Sequence, residues 1–166
     1  MASVLLCLAL SVLSVPATAQ TKSLVILTLE DSETTDEMRA GIREVLKAAG
    51  LQEGRQYKVQ NANAQGSPET AAKQALELIR GKPDVILALS QPSAQAAAAH
   101  TTTMPIIFVG VTDPVEAGLV AGWGASGTNL TGVSDALTLN RRVPLIRQIV
   151  PAAKRVGVIY NASDAA

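Results

Sequence analysis

Short, nearly uninterrupted apolar runs alternate along this chain with segments patterned for helix. That alternation restricts the fold more than any other feature. Residues 24–29 read LVILTL, 85–89 read VILAL, 106–109 read IIFV and 156–160 read VGVIY. A strand with one wet face alternates apolar and polar side chains, whereas a strand buried on both faces reads as a continuous apolar run. Sheets buried on both faces are parallel, because the crossover helices that join parallel strands are what cover them.

The intervening segments supply those helices. Met38, Ile42, Val45, Leu46 and Ala49 recur at helical spacing behind Asp36 and Glu37, with Thr34 or Thr35 as the expected cap and Gly50 at the expected stop. Residues 57–60 read as a short strand and 61–67 as a loop. Pro68 then opens a helix whose buried face is Ala71, Ala72, Ala75, Leu78 and Ile79, ending at Gly81-Lys82-Pro83. Ser90-Gln91-Pro92-Ser93 begins an alanine-rich helix reaching about His100. Thr112-Asp113-Pro114 starts a turn and short helix, and 122–127 is a glycine-rich loop. Residues 130–133 form an expected fifth strand, 137–150 a helix containing Pro144, and 156–160 a sixth strand. The expected class is α/β, a doubly wound parallel sheet of Rossmann or flavodoxin-like type.

The first residues read differently. Residues 4–15 are an apolar run too short to span a bilayer, and Ala17-Thr18-Ala19 is a small-x-small cleavage site. Residues 1–19 are therefore expected to be a signal peptide, with no stable membrane insertion after its removal. The single cysteine, Cys7, leaves with it, so the mature chain offers no disulfide, thiolate nucleophile or zinc-thiolate site. Lys+Arg and Asp+Glu number 14 each, and aromatic residues make up 2%. Such a balance provides no field to collect nucleic acid and few rings on which bases can stack.

In a doubly wound sheet, ligands bind beyond the carboxyl ends of the strands, near the reversal of strand order. That rule selects residues 30–35, 90–94 and 111–114. In the second segment Ser90, Gln91 and Ser93 bring hydroxyl and amide donors to a helix start, where backbone N–H groups attract anions; an ordinary helix cap reads equally well from these residues. Asp113 can accept from a ligand amine or simply cap the residues after it. Asp31 and Ser32 lie in the acidic, hydroxyl-bearing first loop. His100 is the only histidine and sits near a helix end, away from the expected cleft. A Ser90–His100–Asp113 triad is thereby disfavoured, and no Gly-x-Ser-x-Gly elbow is present. No enzyme chemistry, metal or cofactor is expected. Residues 122–127 match neither nucleotide-binding loop pattern, and Trp123 within them reads as loop packing.

Several phrases, in order and at matching spacing, resemble the ABC-transporter substrate-binding family that includes tryptophan- and tyrosine-type receptors. They are Asn61-Ala62-Asn63-Ala64-Gln65-Gly66, Pro92-Ser93-Ala94-Gln95-Ala96-Ala97, Pro105-Ile106-Ile107-Phe108, Val111-Thr112-Asp113-Pro114-Val115, Asn129-Leu130-Thr131-Gly132-Val133-Ser134 and Val156-Gly157-Val158-Ile159-Tyr160-Asn161. The resemblance implies a type I periplasmic binding protein, with two lobes closing on a small ligand, an amino acid or similar carboxylate, for delivery to an inner-membrane ABC permease. It implies ligand contacts at Asp31, Ser32, Ser90, Gln91, Pro92, Ser93, Thr112 and Asp113. Tyr160 and Asn161 then come from the first cleft loop of the second lobe. The first loop departs from the family pattern, which often carries His-Pro where this chain has Asp31-Ser32-Glu33. With about 100–150 residues expected per lobe, residues 20–134 are read as the N-terminal lobe and 135–166 as the hinge crossover and start of a truncated second lobe. The expected location is the periplasm. An extracytoplasmic sensing domain of a signalling protein is the alternative reading.

Overall fold

The computed structural model of the chain describes residues 20–136, 139–157 and 159. Its elements in order are β1 (Lys22–Thr28), α1 (Glu33–Ala48), β2 (Tyr57–Asn63), α2 (Pro68–Arg80), β3 (Val85–Leu89), α3 (Gln91–Ala98), β4 (Ile106–Val109), β5 (Leu130–Val133) and α4 (Leu139–Ile149). The five strands form one all-parallel sheet in the order β2-β1-β3-β4-β5. β1 is an interior strand, paired on both sides, with Ile26 opposite both Asn61 and Leu87.

Alternate residues along the strands serve opposite layers. Leu24, Ile26, Leu87 and Leu89 pack with Met38, Ile42 and Leu46 of α1 on one face. Val25 and Leu27 meet Ala75 and Leu78 of α2 on the other, continued by Ile86, Ala88, Ile106 and Phe108 against Ala94 and Ala97 of α3. Val25, Ile26 and Leu27 are at most 2% exposed, and each such side chain contributes about 1.5–3 kcal/mol of burial. The alanines of α2 and α3 let both helices sit close to the strands. The α1 face is less complete: an open apolar hollow of about 670 Å³ runs past Ile42, Leu87, Ile107 and Val109 towards exposed Val133.

Local chemistry sets the boundaries. α1 is capped by Ser32, not by Thr34 or Thr35. Its Oγ accepts the Thr35 N–H at 3.2 Å while the Ser32 N–H donates to Thr35 Oγ1 at 2.8 Å, a reciprocal capping box. The helix starts earlier than expected because Ser32 keeps an extended backbone (φ −153°) and Thr35 answers as its partner. Gly50, at φ 77°, closes the far end: its N–H donates to Lys47 O and that of Leu51 to Leu46 O, a Schellman stop. Ser67 caps α2 through Thr70 N–H.

Three further expectations are corrected. β2 continues through Asn63, where a loop was expected from 61, because its ladder with β1 persists to Thr28↔Asn63 and a sheet edge tolerates polar side chains. The residues after Pro114 form a hydrogen-bonded turn and no helix: Ala117 N–H donates to Asp113 O and Leu119 N–H to Pro114 O, and Gly118 (φ 71°) turns the backbone out of the helical region. Val156, Gly157 and Ile159 are not in a strand, with no ladder partner among the described residues; residues 158 and 160 lie outside the described residues, as do the proposed signal segment 1–19, Tyr160 and Asn161.

Candidate functional site

The order β2-β1-β3 places the reversal of strand order between β1 and β3, where open parallel sheets bind ligands. A cleft of about 240 Å³ opens there. It is bordered by Leu29, Glu30, Ser32, Thr34, Thr35 and Met38 on one side and by Leu89, Ser90, Gly110 and Asp135 on the other. None of these lining residues is a lysine or arginine. Gly110 (φ 71°) keeps the wall thin, since a Cβ there would lie 2.5 Å from Met38 Cε.

The first loop is held by a polar clasp. Asp31 Oδ1 accepts from Arg39 Nη2 and its Oδ2 accepts from Asn63 Nδ2, each at 2.5 Å. Arg39 also donates to Thr28 Oγ1 at 3.1 Å and to Asp36 Oδ1 at 2.8 Å. The hydrogen bonds from Arg39 and then Asn63 hold the Asp31 carboxyl below the usual carboxylate range, against a weaker opposing effect of desolvation. Both Asp31 oxygens are thus committed within the protein, and Ser32 Oγ is committed to the cap of α1. Sequence reasoning counted Asp31 and Ser32 as ligand groups; only Ser32 borders the cleft, and Asp31 fixes the loop that carries it.

The second loop is built differently. Ser90 occupies the cap position of α3 at φ 114°, ψ 159°, with no side-chain bond to the helix start. Its Oγ lies 3.1 Å from that of Ser93, which is fully buried. Gln91 and Pro92 form the half-buried first turn, Pro92 lacking an N–H of its own.

Thr112 and Asp113 emerge at the same end of the sheet as Ser90, beyond β4, but outside the cleft lining. Asp113 Oδ1 accepts the N–H groups of Val115 and Glu116 at 2.9 and 3.0 Å, closing the turn. Thr112 O accepts from Ser134 Oγ at 2.7 Å, which ties the ends of β4 and β5 together. Asp135, two residues past β5, is a cleft residue that sequence reasoning missed; its place just beyond a strand's carboxyl end was the available signal. His100 lies at the opposite end of α3 from Ser90, so the two cannot share a catalytic site. Trp123 is exposed beside the β5 edge, bordering a small separate hollow with Phe108 and Gly132. Among the described residues no group of three His, Cys, Asp or Glu gathers as a metal site would require, and no helix is long and apolar enough to cross a membrane.

Comparison with known proteins adds the following. Residues 24–166 match the family model described as ABC transporter substrate binding protein. A tyrosine-binding protein of Clostridioides difficile (strain R20291) is 38% identical over 143 residues, covering 86% of this chain and 41% of that protein. Among solved structures, a conserved domain protein of Vibrio cholerae superposes with a TM-score of 0.82 at 36% identity, over 88% of this chain and 49% of that one. An ABC domain from Streptococcus pneumonia in complex with L-Trp gives 0.80 at 28% identity, over 87% and 49%. A ligand-free, open substrate binding protein with adhesive properties from Clostridium difficile gives 0.77 at 35%, over 87% and 49%. The chain spans about half the length of the relatives it matches, or less.

Proposed function

Because this chain belongs to the ABC transporter substrate binding protein family, we propose that it captures an amino acid in the cleft between β1 and β3 and delivers it to an inner-membrane permease. The observation that carries this reading is the cleft at the strand-order reversal, where Ser90, just before α3, shares the lining with the hydroxyl-bearing residues Ser32, Thr34 and Thr35. With no lysine or arginine in the lining, a ligand carboxylate would be met by N–H and hydroxyl donors around Ser90. Glu30 and Asp135 stand nearby as partners for an amine. Aromatic amino acids are the first to test, since the Clostridioides relative is a tyrosine-binding protein and the Streptococcus structure holds L-Trp.

In this proposal residues 20–134 form one lobe, and residues 135–166 lead through a hinge into a second lobe that carries Tyr160 and Asn161 to the opposite cleft wall. The exposed Leu145, Ile149 and Val150 of α4 and its end support that division, because they find no cover on the first sheet. Ligand binding favours closure by as much as it binds the closed state more tightly than the open one. Residues 1–19 direct export, so the site works outside the cytoplasm.

A thermal-shift screen of the intact protein against the twenty amino acids and small carboxylates tests this. A ligand at about 100 times its Kd adds about 2.7 kcal/mol of stability, a clear rise in Tm. Turnover of a substrate, with no stabilising solute in the panel, would sink the proposal.

A further inference from the structure

The fold takes hold of the chain just after the expected cleavage point. Thr21 Oγ1 donates to Arg55 O at 3.1 Å, the Lys22 N–H to Gln56 O at 2.8 Å and the Ser23 N–H to Asp84 Oδ2 at 2.7 Å. Lys22 Nζ adds an ion pair to Asp84 at 2.8 Å. Gln20 stands outside this set. It is exposed, precedes β1 and makes no hydrogen bond to a described residue. Proteolysis concentrates at chain ends that no tertiary bond ties down. The small-x-small residues Ala17-Thr18-Ala19 thus stop one residue short of the first anchored side chain, so cleavage after Ala19 costs the folded lobe none of these bonds.

Cleavage there makes Gln20 the first residue, and glutamine in that position has a reaction it lacks inside a chain. Its free α-amine can reach its own side-chain amide and close a pyrrolidone ring. We propose that the exported chain carries Gln20 as pyroglutamate. No added reagent is needed. The α-amine nitrogen attacks Cδ, the bond from Cδ to the side-chain nitrogen breaks, and that nitrogen leaves as ammonia with the proton the amine loses. The inference rests on residues 1–19 directing export and not on the ligand cleft, which lies at the opposite end of the sheet. The Gln20 side chain surrenders no bond to a described residue on closing, and β1 keeps its anchors from Thr21 onward. The product is uncharged. It brings no ammonium beside Lys22 and offers an aminopeptidase no α-amine.

The test uses the intact protein exported by a bacterial host and recovered from outside the cytoplasm. Its mass should fall short of a chain starting at Gln20 by one ammonia, and the tryptic peptide Gln20-Thr21-Lys22 should carry the whole deficit. N-terminal sequencing should be blocked until pyroglutamyl aminopeptidase exposes Thr21. Gln20→Ser, exported in parallel, should keep its full mass and an open terminus, and should unfold at the same denaturant midpoint. A recovered protein with an open Gln20 terminus, or one cleaved to start at another residue, would overturn this inference and leave the export reading standing. A recovered protein that retains residues 1–19 would overturn both.

Discussion

Arg39 reaches from the second turn of α1 back to Asp31, and with its side chain only 12% exposed it secures the first cleft loop from beneath. The same guanidinium meets Thr28 at the end of β1 and Asp36 on its own helix, while Asp31 extends the link to Asn63 at the end of β2. Arg39→Ala removes the shared donor and leaves these acceptors without it. The expected loss is about 1–2 kcal/mol, the lower range for charged hydrogen bonds because the Asp31 and Asp36 carboxylates are exposed. Urea unfolding of the variant measures it, and an unchanged midpoint would show that the clasp holds nothing.

The same clasp has a pH signature. The folded-state pKa of Asp31 lies below its ordinary value, so its contribution is present above the unfolded carboxyl pKa of about 3.9 and is lost as pH falls through the lower folded value. Comparing Asp31→Asn with the unaltered protein, the gap in urea midpoint should hold constant near neutrality and close below about pH 4. A gap that instead widens in acid would contradict the assigned sign.

Much of this architecture was legible in the residues, because burial on both sheet faces leaves a plain trace. Val85–Leu89, Ile106–Val109 and Leu130–Val133 are strands with the bounds the sequence suggested. β2 was underread because half of its length is polar: YKVQNAN carries no continuous apolar run, and only its pairing with β1 makes it a strand through Asn63. In the site, the end of the sheet and the place of Ser90 on the cleft border followed from topology. The neutralisation of Asp31 by Arg39 did not, since it joins residues eight apart in sequence through a helix start whose position depends on which hydroxyl caps it. Asp135 went unread because it falls where a lobe boundary was placed.

Two glycines should respond to alanine with opposite signs. Gly132 in β5 faces Phe108 so closely that a Cβ would stand 2.1 Å from its carbonyl oxygen and 2.4 Å from its ring. Gly132→Ala should cost about 1–3 kcal/mol through overpacking. Gly41 lies exposed within α1, with nothing within 4 Å of a built Cβ. Gly41→Ala should stabilise by about 0.5–1 kcal/mol through helix propensity and a less flexible unfolded chain. Thermal unfolding of the pair decides both; equal midpoints would remove the close approach to Phe108 as the reason for Gly132.

Asp113 is expected to support the turn after β4 and not the ligand. Its carboxylate already accepts two backbone N–H groups, from Val115 and Glu116. Asparagine keeps a side-chain oxygen in the same place and caps nearly as well. Asp113→Asn should therefore leave the affinity for a bound amino acid within about twofold, whereas Asp113→Ala should cost about 1 kcal/mol of stability. A tenfold loss of affinity in Asp113→Asn would restore the carboxylate as a ligand contact.

Helix α4 should open far more readily than α2, though both are amphipathic and of similar length. α2 buries Ala71, Ala75 and Leu78 against the sheet. α4 and the residue after it leave Leu145, Ile149 and Val150 at 54%, 71% and 50% exposure, and Pro144 stands inside the helix, where it removes one backbone bond. Isolated helices of this length are marginal in water, so α4 depends on packing that the first sheet does not supply. Amide exchange in this 166-residue chain should proceed at least about a hundredfold faster in α4 than in α2, since local opening costs track buried contacts. Equal protection would mean that α4 docks on the first lobe, and the division near residue 135 would fail with it.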